Sequence, residues 1–304
     1  MSIAALLFPE LALITLGWLI RRIDLLPEAF WEGAEKLVYH VLFPALLFGS
    51  IARARLSITE AAPMVLAAYA ALSSGILASA LGRVVIRPDA RQFASAVQCG
   101  FRFNSYMTLA LGSRIGEAPG LALAALITGF VVPVANIAAV IPLARQGGGS
   151  AWQAIVRNPL VLATVAGLAV QAVGLRVPEP LDAVLVRLGQ ASLALGLLCV
   201  GASLRLQSAL GDEPALRRSA QRLTVWITAC KLLVMPLAAL LAARALSLAA
   251  LPTAIVVMYA SVPTAPAAFV LANRMGGDGA LVAFLITVST LASLLALPFW
   301  LGLL

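Results

Sequence analysis

What this chain has least of is charge. Asp, Glu, Lys and Arg make up 11% of its 304 residues, while 62% are hydrophobic and the mean hydropathy is +1.01. Soluble domains carry roughly 25% charged residues, so a water-soluble fold of this length could not cover so much apolar surface. Histidine occurs once, at His40. That excludes an HExxH zinc site, and no GxS nucleophile elbow lies near that histidine. There is no pair of intramembrane aspartates and no P-loop to cradle the phosphates of ATP. An enzyme and an ATP-driven pump therefore both lack their chemistry, and no cofactor or metal is expected. Cys99, Cys199 and Cys230 are far apart in sequence and form neither CxxC nor zinc spacing; they read as packing residues. The N-terminus lacks the pattern of a cleavable leader, because Glu10 interrupts its apolar run and Arg21-Arg22 follow it.

What is present is apolar sequence in blocks. A helix needs ~20 mostly apolar residues to cross a bilayer, and ten stretches qualify: 3–20, 32–52, 61–82, 92–113, 119–143, 158–175, 181–204, 222–243, 251–273 and 279–303. The chain is expected to be an all-α polytopic membrane protein. The connections after spans 1, 3, 5, 7 and 9 hold twelve basic residues and the alternate connections six, with Lys36, Arg102 and Lys231 inside spans. The positive-inside rule puts the twelve in the cytoplasm, with both termini outside. Net charge of +8 is then topology, with no nucleic-acid footprint. The longest polar stretch, Leu204 to Gln221, reads as a cytoplasmic loop.

A Gly-rich linker, Arg145-Gln-Gly-Gly-Gly-Ser150, falls at the midpoint. It separates residues 1–144 from 158–304, with 145–157 as a short cytoplasmic connection. Each half would hold five spans. Five is odd, so the second half would enter the membrane from the opposite side and form an inverted repeat.

Within these halves one motif is written twice. Phe101-Arg-Phe-Asn-Ser-Tyr106 leads to Arg114 and Gly116, and Ala260-Ser-Val-Pro-Thr-Ala-Pro266 leads to Arg274 and Gly276. Both put polar or helix-breaking residues where apolar helix should continue. Interrupted segments at matching places in two halves are the best sequence pointer to a transporter's site. Pro263 and Pro266 remove backbone donors, and Thr264 lies between them. Broken helix ends turn partial positive charge inward, which favours an anion.

A charge near the midplane costs at least ~2.5–3.5 kcal/mol, so Arg102 must face a cavity or a partner. Either its guanidinium meets a substrate carboxylate, or it forms a structural ion pair, or it lies nearer the interface than the span suggests. Glu10 and Lys231 are the other ionisable residues well inside spans. Lys231 reads as half of a structural pair; Glu10 is either such a partner or a proton carrier. His40 reads as a satisfied packing histidine. Asn136, Gln171, Gln190, Ser192, Ser289, Thr290 and Ser293 are isolated polar groups of a kind that usually bonds across helices, and most of them read as packing residues.

Several stretches are familiar in type: Tyr39-His-Val-Leu-Phe-Pro-Ala-Leu-Leu-Phe48, Asn158-Pro-Leu-Val-Leu162, Leu188-Gly-Gln-Ala-Ser-Leu-Ala-Leu-Gly-Leu-Leu198, Lys231-Leu-Leu-Val-Met-Pro236, and Phe269-Val-Leu-Ala-Asn-Arg274-Met-Gly-Gly-Asp278. In this order, over nearly the whole chain, they resemble the auxin efflux carrier family, including its bacterial malonate-transporter-like members. The resemblance implies ten helices in two inverted five-helix repeats, with broken helices 4 and 9 crossing at the substrate site. It also implies export of an organic anion by alternating access. Carried over by position, the site lies at Asn104, Ser105, Tyr106, Pro263, Thr264 and Pro266. Two departures stand out. No proline lies between Arg102 and Gly112, so span 4 is expected to be less fully broken, and Ala194 stands where relatives often have proline.

The expected function is secondary active export of a small organic anion across the inner membrane, one helix bundle rocking or sliding against the other. A proton, sodium or the membrane potential alone would couple it. A homodimer is compatible with the sequence. The alternatives are a bile-acid-like sodium symporter and a non-transporting receptor or scaffold.

Overall fold

The computed structural model describes residues 3–53, 58–147, 159–204 and 214–304. It is helical over 86% of the chain, with no strand among the described residues. In lipid no water receives a free N–H or C=O, and a helix pairs them within one segment.

The helices are α1 (Ile3–Arg22), α2 (Glu28–Leu37), α3 (Phe43–Arg53), α4 (Ile58–Val85), α5 (Ala90–Ala96), α6 (Ser105–Gly147), α7 (Pro159–Ala172), α8 (Glu179–Ser203), α9 (Pro214–Ala229), α10 (Met235–Ala245), α11 (Ala250–Ser261), α12 (Ala267–Arg274) and α13 (Gly279–Gly302). Turns of π-helix join α2 to α3 (Val38–Leu42) and α9 to α10 (Cys230–Val234), and a 3₁₀ turn (Val97–Gly100) ends α5. Among the described residues six stretches are long and apolar enough to cross a membrane: Glu28–Arg53, Ala62–Val85, Ala90–Leu143, Glu179–Ser203, Leu216–Ala245 and Gly279–Gly302. Large apolar side chains cover the outside, Val225 being 72% and Leu295 79% exposed, which suits acyl chains and not water. The chain is a multi-pass membrane protein. The polar stretch expected to be loop up to Gln221 is helical from Pro214. Proline suits the first helical turn, and Arg217 and Arg218 lie exposed there, so charge does not prevent the helix from starting early.

Ala90–Leu143 is 54 residues long, far more than one crossing needs. It bends at Gly116 and Glu117, where φ and ψ leave the helical region. A Cβ on Gly112 would meet Ala124 Cβ at 2.7 Å and Gly120 O at 3.0 Å. In a straight helix residues 112 and 124 would lie about 18 Å apart along the axis, so the two arms fold back on each other.

The two π turns share a cause. Each is followed by proline, Pro44 or Pro236, which cannot donate to the carbonyl four residues back. For Pro236 that carbonyl belongs to Leu232, and it accepts a hydrogen bond from Trp300 Nε1 at 2.8 Å.

Helix ends recur at matching places in the two halves. Asp24, Arg87 and Glu117 have positive φ in the first half, and Gly174, Ser247 and Gly276 in the second. The turns after α1, α7 and α10 also share hydrogen bonds: Leu25 to Ile20 O, Leu175 to Val170 O and Leu248 to Ala243 O, at 3.2, 3.1 and 2.9 Å. This six-residue closure satisfies helix-end carbonyls that would otherwise lack donors.

The chain forms two compact units that draw on both sequence halves. The first takes Met1–Val65, Ser105–Pro133 and Trp152–Ser203. In it α1 packs on α8, where a Cβ on Gly201 would fall on the Ile14 carbonyl oxygen. Arg53 Nη1 pairs with Asp182 Oδ1 at 2.5 Å, and Arg21 pairs with Glu28. The second takes Leu66–Asn104, Val134–Ala151 and Leu204–Leu304. Its core includes Tyr259, whose hydroxyl donates to Ala68 O at 3.2 Å.

Candidate functional site

The second unit holds two breaks in helix, and each solves the problem of unpaired backbone differently. After Ser261 the chain leaves α11 with Val262 extended, and helix resumes at Ala267. Pro263 and Pro266 have no N–H, so this break has two fewer donors to satisfy. Thr264 N–H donates to Ser289 Oγ at 3.3 Å, and Thr264 Oγ1 donates to Cys99 O. The Phe269 N–H closes on Pro266 O at 3.0 Å. Thr264 is 1% exposed and Pro263 is buried, whereas Pro266 is half-buried.

The carbonyl end of α11 is held by a lysine. Lys231, fully buried on the second π turn, donates from Nζ to Ala260 O at 2.6 Å. A cation there complements the partial negative charge of a helix C-terminus. Among the described residues Lys231 forms no ion pair; besides this backbone carbonyl its Nζ reaches Met235 Sδ at 3.8 Å.

The first break begins in α5, whose N-terminus Asp89 caps by accepting from the N–H groups of Arg91 and Gln92 at 3.0 Å. The helix tightens through Val97–Gly100, and Phe101 to Asn104 lie outside helix before α6 starts. The expectation that span 4 would be less fully broken is therefore corrected. No proline is needed, because other groups receive the freed backbone. Asn104 N–H donates to Pro263 O at 2.8 Å, joining the two breaks through their main chains. Gln98 supplies the rest: its Nε2 donates to Ser95 O at 3.2 Å and to Ala268 O at 3.3 Å, and its Oε1 accepts from Arg102 Nη1 at 3.1 Å. A buried polar group left unmade here would cost ~1–3 kcal/mol. Phe103 meets Tyr259 edge-on at 4.7 Å and shields the junction.

Arg102, Asn104, Pro263 and Thr264 thus come together in one unit, with Arg102 9% exposed and Asn104 1%. Ser105 and Tyr106 belong to the first unit, and both are half-buried. Tyr106 stacks edge-on against Phe43 at 5.0 Å. The side chains of Glu10 and Arg274 lie outside the described residues. His40 is exposed and bonds Lys36 O at 3.0 Å, so it is satisfied but does not pack inside. The three cysteines are buried and free. Of the isolated polar groups, Ser289 does bond across helices, whereas Thr290 and Ser293 bond carbonyls of their own helix. Ser192 Oγ is buried with no hydrogen-bond partner among the described residues. No cluster of three or more His, Cys, Asp or Glu side chains that could hold a metal occurs among the described residues.

Sequence reasoning missed Gln98. Its signal was available: an amide one helical turn before an arginine in an apolar span.

Residues 142–301, just over half of the chain, match the family model described as "Membrane transport protein". No curated protein matches the chain. With interrupted helices inside an apolar bundle and a family match over its second half, the chain belongs to the membrane transport protein family, that of the auxin efflux carriers.

Proposed function

We propose that this transporter is a secondary active exporter of a small organic anion, such as a carboxylate, working by alternating access in the inner membrane. Ten spans in two inverted five-helix repeats, with both termini outside, would carry it. The matched positive-φ turns of the two halves, Asp24 with Gly174, Arg87 with Ser247 and Glu117 with Gly276, support the duplication.

One observation carries the assignment of the site: the backbone bond from Asn104 to Pro263 fastens two helix breaks together beside an arginine. Helix breaks deep in an apolar protein are tolerated where the backbone is buried in protein or lines a cavity. Half-helix N-termini that start there favour negative charge. Arg102 would turn its guanidinium to the carboxylate, and Asn104 and Thr264 would line the site beside it.

A thermal-shift screen of dicarboxylates, aryl acetates and amino acids on purified protein tests this reading. At least one anion should raise the melting temperature of the wild type, and Arg102→Ala should abolish the rise. Stabilisation by cationic ligands alone would overturn the anion assignment. A rise that requires sodium would favour a symporter, and anion binding without flux in liposomes would favour a receptor.

A further inference from the structure

The acids described in the first unit are not treated alike. Glu28 pairs with Arg21 and Asp182 with Arg53, both near helix ends. Glu35 is different. It lies two turns into α2, half-buried inside the membrane stretch Glu28–Arg53, and makes no ion pair or hydrogen bond among the described residues.

Its surroundings are weak acids and aromatic rings. Glu35, Tyr39 and Cys199 all stand within electrostatic reach of Tyr106, and Glu35 within reach of Cys199. Trp31, one turn before Glu35, packs with Ala34 and Cys199 in a buried cluster, and its Nε1 has no partner among the described residues. On α8, Ser192, Gly196 and Cys199 recur at helical spacing on one face. Gly196 admits the Tyr106 ring, since a Cβ there would lie 2.5 Å from Cδ1. Ser192 brings a second buried group without a partner. Two phenols and a thiol thus stand near one carboxyl, with an indole one turn before it and no cation among them.

From α2 itself come Glu32, which acts on Glu35, and Lys36, which is exposed; His40 follows on the π turn and is exposed too. On α1, Arg21 is held by Glu28 and Arg22 lies over the Trp18 ring; Asp24 follows in the turn beyond. On α8, Glu179, Asp182 and Arg187 are three or more turns from Cys199. α6 contributes Tyr106, with Arg114 and Glu117 two or more turns farther along it.

An ionised carboxylate in hydrocarbon without a cation is costly, and it is commonly relieved by neutralisation. We propose that Glu35 is a proton-binding site of this protein, taking up and releasing one proton as it works. The step is simple: an O–H bond forms at one carboxylate oxygen with a proton from water on one side, and breaks to water on the other. Its place in a transport cycle rests on the carrier reading above; the site itself does not.

The test uses the full chain, purified in detergent, without substrate. Infrared difference spectra between about pH 5 and about pH 8, a window above the usual Glu value, should show the C=O stretch of a protonated carboxyl. Glu35→Gln should remove one carboxyl's share of that band. An unchanged band in Glu35→Gln overturns the proposal. If that variant does not fold, Glu35→Asp and Tyr106→Phe decide: both should keep the band and shift its midpoint, and an unmoved midpoint in both overturns the proposal. A titrating Glu35 with no anion flux would strike the carrier reading alone. Flux with no titrating Glu35 would strike only this proposal.

Discussion

The two helix breaks of the second unit reach the same end by opposite means. At Val262–Pro266 the covalent structure does the breaking: two prolines withhold N–H groups and the hydroxyl of Thr264 ties the loop to Cys99 O. At Phe101–Asn104 there is no proline, and the break exists because side chains and the opposite main chain receive what the helix gives up. The first break is therefore held by hydrogen bonds that a single substitution can remove. The second is partly written into its own backbone. Damage should accordingly be unequal.

Gln98→Leu makes the harshest comparison. It keeps the size of the side chain, but Arg102 loses a buried acceptor and Ser95 O and Ala268 O lose a donor. A hydrogen bond to a charged group is worth ~1.5–3 kcal/mol, and orphaned partners add to the loss, so a stability loss of about 3 kcal/mol is expected. Chemical unfolding of purified protein would measure it; a wild-type midpoint would mean that the first break does not depend on Gln98.

The paired turns offer a test of opposite sign. Glu117 has φ 48° and ψ −133°, a region that only glycine enters freely. In the matching turn of the second half the positive φ falls one residue earlier in the motif, at Gly276 (φ 70°), with open space around it. Glu117→Gly should stabilise by ~1–3 kcal/mol, and Gly276→Ala should destabilise by about 1 kcal/mol. Shifts of the same sign in thermal unfolding would undo the correspondence of the two turns.

Thr264→Val ranks next. It is isosteric and removes only the hydroxyl, leaving Cys99 O unpaired at a cost of ~1–2 kcal/mol. Anion-dependent stabilisation should fall with it; a thermal-shift response equal to that of wild type would take Thr264 out of the proposed site.

Much of this was legible in the sequence. Hydropathy, which led to an expectation of ten spans, anticipated the six stretches long and apolar enough to cross a membrane among the described residues, because lipid imposes their length. The second break was visible as two prolines, and the first as polar residues where none should be. Less legible was what each polar group touches. Lys231 reads as an ion-pair partner until Ala260 O is brought to it by a chain segment 29 residues on. Gln98 looks like one more packing amide until Ala268 O arrives, 170 residues away in sequence. The interleaving of both halves into each unit is equally invisible, since the linker at 145–150 marks a seam in the sequence and not in the packing. Period and composition report what a residue is beside along the chain. Partners across the fold depend on tertiary geometry, which neither encodes.

The smallest effect is expected where a reader would look first, at Pro263. Pro263→Ala returns an N–H and frees the unfolded chain, which costs ~0.4–1 kcal/mol. It does not heal the helix. Continuing α11 through residue 263 would cost Asn104 its acceptor at Pro263 O, Thr264 its bond to Cys99 O and Lys231 its bond to Ala260 O. These losses outweigh the one or two helical bonds gained at ~0.5–1.5 kcal/mol each. Hydrogen exchange at Val262, Thr264 and Ala265 should therefore be the same in Pro263→Ala as in wild type. Protection spreading across 263 and 264 in the variant would mean that the prolines alone keep the second break open, and that its hydrogen bonds follow from the break instead of holding it.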